Sequence, residues 1–223
     1  HEDIYWGYWY LTTQLGASNW VPRGRYQDDS AWDSDWYKVE RYTPYSDYQY
    51  ADNVDLAMFS GHGGPTAFYF GVNHPDHVAH MYDLELGDKD IEWLVLGACQ
   101  VLQYTDASGN VFARWLRVFK GLHYMLSYST VSYDTEWEMY YFARAANGVY
   151  GAAYSYARMA WYLATLYTQP STVKGAYLRV AGSPGAWDTY LDRPLVYNWQ
   201  QELLDPLYVP GYTGTGYWAE WWC

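Results

Sequence analysis

The stretch VDLAMFSGHGGP, residues 54–65, carries five apolar residues in its first six and then turns abruptly into Ser60, Gly61, His62, Gly63, Gly64 and Pro65. A second stretch, IEWLVLGACQ at residues 91–100, repeats the design: an apolar run, a glycine, and then Cys99. Short, nearly continuous apolar runs bounded by glycine and charge are expected of strands buried on both faces, as at the centre of a parallel sheet. The pattern therefore predicts two central strands, each delivering one chemically versatile side chain to its carboxyl end.

Downstream, strands and helices alternate. Phe112, Trp115, Leu116 and Phe119 recur at helical spacing, with Asn110 as N-cap and Gly121 as the stop. LHYMLSYST (122–130) reads as a strand, and Thr135 with Glu138 reads as a capping box opening a helix over EWEMYYFARAAN (136–147), closed by Gly148. A further helix is expected over about residues 152–165, with Ala153, Ala157, Ala160, Trp161 and Ala164 as its packing stripe, and GAYLRVAG (175–182) as a late strand. Strands joined by crossover helices imply an α/β fold, a three-layer sandwich around a mostly parallel central sheet.

The remainder reads as one domain over 1–223 with two appendages. Residues 1–50 are an aromatic-rich embellishment, with IYWGYWYL (4–11) expected as a strand and QDDSAWDSDW (27–36) as an acidic loop, and residues 183–223 are a tail wrapping the surface. Thirteen Lys and Arg stand against 25 Asp and Glu, a net charge of −12, which repels phosphate backbones and anionic lipid and argues against a nucleic-acid partner. No run approaches the ~20 apolar residues of a membrane span. A first residue His1 and few lysines lead to the expectation of a processed, secreted, extracellular protein. The two cysteines, Cys99 and Cys223, make no disulfide framework, and whether they pair stays open.

In open α/β sheets the loops leaving the carboxyl ends of strands form the functional edge. If the two runs are parallel neighbours, His62 and Cys99 face one crevice. An imidazole there can take the thiol proton and later protonate a leaving amine, while backbone N–H groups of Gly63 and Cys99 hold an oxyanion. The parts suffice for acyl transfer.

The motifs MFSGHGG (58–64) and LVLGACQ (94–100) resemble those of the caspase-like cysteine peptidases, the group of caspases, legumains, clostripain and gingipains. The succession after Cys99 is similar to gingipain-type members: a helix, the strand GLHYMLSYST, a helix ending ARAANGVYG, and the Ala-rich AAYSYARMAWYLA. The likeness covers about residues 54–181 and leaves the first fifty outside it. It implies a caspase-like sandwich, with His62 as general base and acid, Cys99 as nucleophile, the backbone of Gly63 and Cys99 as oxyanion hole, and a peptide or protein substrate. The loop beside the catalytic edge would wall the pocket for the residue before the scissile bond. Asp134, Glu136 and Glu138 lie in that loop, and an inward carboxylate would select a basic side chain there. No third residue that orients His62 is legible.

Other readings stay open. Twenty-eight Tyr and 14 Trp exceed what one core buries, so a catalytically silent extracellular subunit of a self-associating filament or surface layer fits, as does an aromatic carbohydrate-binding module. No cofactor is expected. The acids Asp28, Asp29, Asp33 and Asp35 are a weak calcium candidate, and His74, His77 and His80 a weaker metal candidate.

Overall fold

A computed structural model describes residues 2–13, 23–27, 30–38, 47–71, 77–151, 153, 155–180 and 216–223. In chain order the elements are α1 (Glu2–Thr13), β1 (Leu56–Ser60), β2 (His62–Gly64), β3 (Ala67–Tyr69), β4 (Val78–His80) and β5 (Trp93–Gly97). There follow β6 (Thr105–Asp106), β7 (Gly109–Asn110), α2 (Val111–Trp115), β8 (Tyr124–Tyr128), α3 (Glu138–Ala146), α4 (Ala157–Thr168), β9 (Lys174–Val180) and β10 (Gly216–Trp222). The fold is mixed α/β.

The central sheet has the order β1-β5-β8-β9-β10. The two apolar runs are indeed neighbours: β1 pairs β5 in parallel with Leu56 opposite Trp93 and Ser60 opposite Gly97, and β8 continues the parallel set. The other half runs the opposite way, because β9 is antiparallel to β8 and β10 antiparallel to β9. The expected late strand is present as β9, and the sheet is mixed, parallel over β1, β5 and β8 and antiparallel beyond. The structure corrects the picture of the tail, whose residues 216–222 are an edge strand of the sheet; residues 183–215 lie outside the described residues. Nor is every crossover helical: β1 and β5 are linked through the small antiparallel sheet β2-β3-β4.

Burial alternates along β5. Leu94 and Leu96 enter one core with Phe59, Phe68, Val101, Val111 and Trp115, whereas Trp93 and Val95 enter another with Met139, Phe142, Ala160, Trp161 and Ala164. The small sheet and α2 thus cover one face, and α3 and α4 the other. Ala157, Ala160, Trp161 and Ala164 are buried as the stripe requires, but α4 begins later than expected and Ala153 lies exposed before it. Trp161 donates from Nε1 to Ser127 O at 2.8 Å, so its ring is buried with its polar atom satisfied.

The segment IYWGYWYL is helix α1, where strand propensity predicts a strand. Tertiary packing decides: Trp6 stacks on Trp137 at 5.4 Å, Tyr10 meets Tyr140 edge-on at 5.3 Å, and Arg144 of α3 lies over both Tyr10 and Tyr140. Asp33 and Asp35, expected in a solvated loop, are buried in a 3-10 turn, Asp33 accepting from the Tyr37 hydroxyl. No helix among the described residues is long and apolar enough to cross a membrane.

Candidate active site

His62 stands two residues beyond the end of β1 and opens β2, with Tyr69 as its cross-strand partner. Cys99 stands two residues beyond the end of β5. Because the strands pair in register, both side chains reach the same end of the sheet, and both line one cleft of about 120 Å³ with Gly61, Tyr128, Ser132 and Asp134. Gly63 is needed between them. A Cβ there would lie 2.8 Å from Ala98 Cβ and 2.9 Å from Cys99 O, so only glycine lets the His62 strand close onto the cysteine turn.

The cysteine turn is held in an unusual shape. Gln100 has a φ of 59°, the left-handed region that side chains other than glycine rarely adopt, at a cost of order 1–3 kcal/mol. It is fixed by Gln100 N donating to Thr130 O at 2.9 Å, and Leu102 N to Tyr128 O at 3.0 Å. Both bonds tie the turn to the end of β8 and the loop that follows.

That loop supplies the thiol's own partner. Ser132 N donates to Cys99 Sγ at 3.3 Å, and Ser132 Oγ lies 3.5 Å from the sulfur. Cys99 is hydrogen-bonded to Ser132 and not to His62, so the histidine and the cysteine share a cleft without a direct bond. His62 itself is exposed. Ser132 was not legible in the sequence, since its link to Cys99 spans 33 residues.

The three acids of the loop separate. Asp134 is exposed at the cleft, Glu138 is 3% exposed and lines it, and Glu136 is exposed outside the lining. Glu138 is no capping-box partner: α3 starts at Glu138 itself, with Trp137 at the cap position and no side-chain cap bond. Its carboxylate turns inward, accepting from the Tyr128 hydroxyl and from Gln169 Nε2 at 3.0 Å. Burial, and after it the neighbouring Glu138 charge, push the Tyr128 phenol well above its ordinary range, so it remains a donor. Gln169 also grips the loop backbone, accepting from Tyr133 N at 3.0 Å and donating to Tyr133 O at 2.8 Å.

The metal candidates fare differently. His74, Asp28 and Asp29 lie outside the described residues, and His80 stacks on Tyr82 at 4.7 Å. Among the described residues the acids with ligand-like spacing are instead Asp47, Asp52 and Asp88, whose oxygens lie within 4.8 Å of one another. Asp52 is a loop anchor: it accepts from the N–H groups of Gly87, Lys89, Asp90 and Ile91 at 2.9–3.2 Å. Burial above all, then the Asp88 hydrogen bond, raises its carboxyl to about 7. Cys99 and Cys223 are both free thiols, and burial raises that of Cys223.

Fold and cleft together define an α/β protein with a histidine and a cysteine at the carboxyl edge of adjacent parallel strands. The chain belongs to the family described as Domain of unknown function (DUF6345), whose model matches residues 11–202 and so includes both side chains. No curated protein and no solved structure matches it.

Proposed function

We propose that the chain is a secreted cysteine peptidase with a caspase-like three-layer sandwich. One observation carries the reading: His62 and Cys99 follow neighbouring parallel strands and open into one cleft floored by a buried carboxylate. Cys99 attacks the scissile carbonyl as thiolate, the sulfur–carbon bond forms, and the carbonyl electron pair moves onto oxygen. The N–H groups of Gly63 and Cys99 receive that oxyanion, and His62 carries the thiol proton to the leaving amine. Water then releases the acyl group and restores the thiol. Ser132 N–H, already bonded to Sγ, helps hold the thiolate. Glu138 and Asp134 favour a substrate with Lys or Arg before the scissile bond, and Glu136, outside the cleft, has no part in that choice.

A peptide library incubated with wild type and with Cys99→Ala tests this. Cleavage after basic residues by wild type alone supports it; cleavage after acidic or apolar residues defeats the specificity; no cleavage together with a Cys99 inert to iodoacetamide defeats the peptidase.

A second reading is favoured by the thiol's bond to Ser132 in place of His62, and by exposed rings such as Tyr69, Tyr133, Trp137, Tyr167 and Trp222. In it the same fold is a silent extracellular subunit that self-associates through aromatic surface. Ordered fibres in electron micrographs of material without turnover distinguish it from the peptidase.

A further inference from the structure

Arg114, on α2, is completely buried, an expensive place for a guanidinium that an apolar side chain could fill. Burial lowers its ordinary pKa, opposed by the Asp106 carboxylate at 3.0 Å. Its donors fan out to three different segments: Nε to Pro65 O at 3.0 Å, Nη2 to Gln103 O, and Nη1 to Gly109 O of β7 at 2.5 Å. Trp115 Nε1 gives Pro65 O a second donor at 2.9 Å. Pro65 closes the loop three residues after His62, and Gln103 ends the turn four residues after Cys99. The fork therefore spans the two segments that carry His62 and Cys99, without itself lining the cleft.

We infer that Arg114 is a positioning residue that fixes the His62 loop against the Cys99 turn, an inference that rests on the dyad reading above. The pairing of β1 with β5 ends at Ser60 and Gly97, with Gly61 N donating to Gly97 O at 3.1 Å, and Pro65 and Gln103 lie beyond it. Gly63 lets them approach, and the guanidinium plane, holding both carbonyls at once, sets how close they come. Lysine keeps the charge but lacks the planar fork, so it can satisfy Asp106 and not both loops.

The experiment uses the full chain and iodoacetamide as probe, with the rate of Cys99 alkylation followed by mass spectrometry between about pH 5 and about pH 9. Near-UV circular dichroism reports folding, and His62→Ala is the reference. A folded Arg114→Lys is expected to lose the His62-dependent limb of the pH profile and to react about tenfold more slowly. Trp115→Phe removes only one of the two donors to Pro65 O and decides the matter should Arg114→Lys not fold. It is expected to slow the reaction about threefold with the same change of profile. Wild-type rate and profile in the folded variants overturn the inference while leaving the dyad intact. A wild-type profile untouched by His62→Ala overturns the dyad, and the clamp's purpose with it.

Discussion

Replacing Glu92 by glutamine should stabilise the protein at neutral and alkaline pH and do little at acid pH. Glu92 immediately precedes β5, and its Oε2 is buried without a hydrogen-bond partner. Burial first, then the charges of Asp55 and Asp90, raise its carboxyl from an ordinary 4.5 to about 9. Between those values the native state keeps a proton that the unfolded chain has lost, so raising the pH favours unfolding. At pH 7 the difference is 7 minus 4.5 units at ~1.36 kcal/mol each, or about 3 kcal/mol, an upper figure because the side chain is not wholly enclosed. A glutamine amide does not titrate and carries no such linkage. Urea unfolding at about pH 5 and about pH 7 should then give near-equal stabilities for wild type and Glu92→Gln at the lower value. At the higher one the variant should lead by about 2–3 kcal/mol. The reasoning is refuted by a variant whose stability falls with pH as steeply as that of wild type, or by an equal loss at both values. Asp35, raised to about 6 chiefly by burial, and Asp52, raised to about 7, act in the same direction. The wild-type protein should therefore be most stable on the acid side of neutrality.

Asp52→Ala leaves four backbone N–H groups of the 87–91 loop without their acceptor, and should cost about 3–5 kcal/mol in urea unfolding at about pH 8. Gly87→Ala should be at least as damaging: Gly87 has a φ of 87° and a Cβ there would fall on the backbone of Gly121 and Leu122, so the expected outcome is poor folding or a Tm lower by about 10 °C or more. Asn110→Ala removes the cap that accepts from Ala113 N at 2.9 Å and should cost only about 1 kcal/mol, which thermal unfolding resolves. Self-association, followed by light scattering, should strengthen as salt screens the net charge of −12 beyond ~8 Å or as pH falls toward 4.7; a particle size constant across both changes counts against an aromatic interface.

The centre of the fold was legible because β1 and β5 are buried on both faces, and that condition writes itself into sequence as an unbroken apolar run. His62 and Cys99 followed from it, since the ends of parallel neighbours must lie together. The rest depended on distant partners. The aromatic α1 is chemically a good strand, and distant partners make it a helix: Trp137, Tyr140 and Arg144, more than 120 residues away, and Leu56 and Met58 of β1. The antiparallel turn of β9 and β10 has no local signature, because pairing direction is set by how the chain returns and not by composition. Glu138 looked like a helix cap because Thr135 precedes it by three residues, yet the buried hydroxyl of Tyr128 is the stronger claimant. Arg114 did leave a trace: it sits three residues after Val111 and four before Val118, on the buried face of its turn, where a cation is out of place unless something needs its five donors.

The late arrival of β10 sets an order of events. Glu220 on that strand binds Ser129 Oγ at 2.7 Å and pairs with Lys174, while Trp221 Nε1 reaches Thr165 at 2.9 Å. Ser129 is the root of the loop that brings Ser132 to Cys99. During synthesis, a chain extended only as far as β9 has β9 as the edge of its sheet, with an open row of backbone donors and acceptors, and Ser129 and Lys174 are without Glu220, although Gln169 can already hold the loop at Tyr133. Closure of the sheet and the fastening of Ser129, at the root of the loop that carries Ser132, are thus one step, and the edge left open by β9 is covered only when β10 is added.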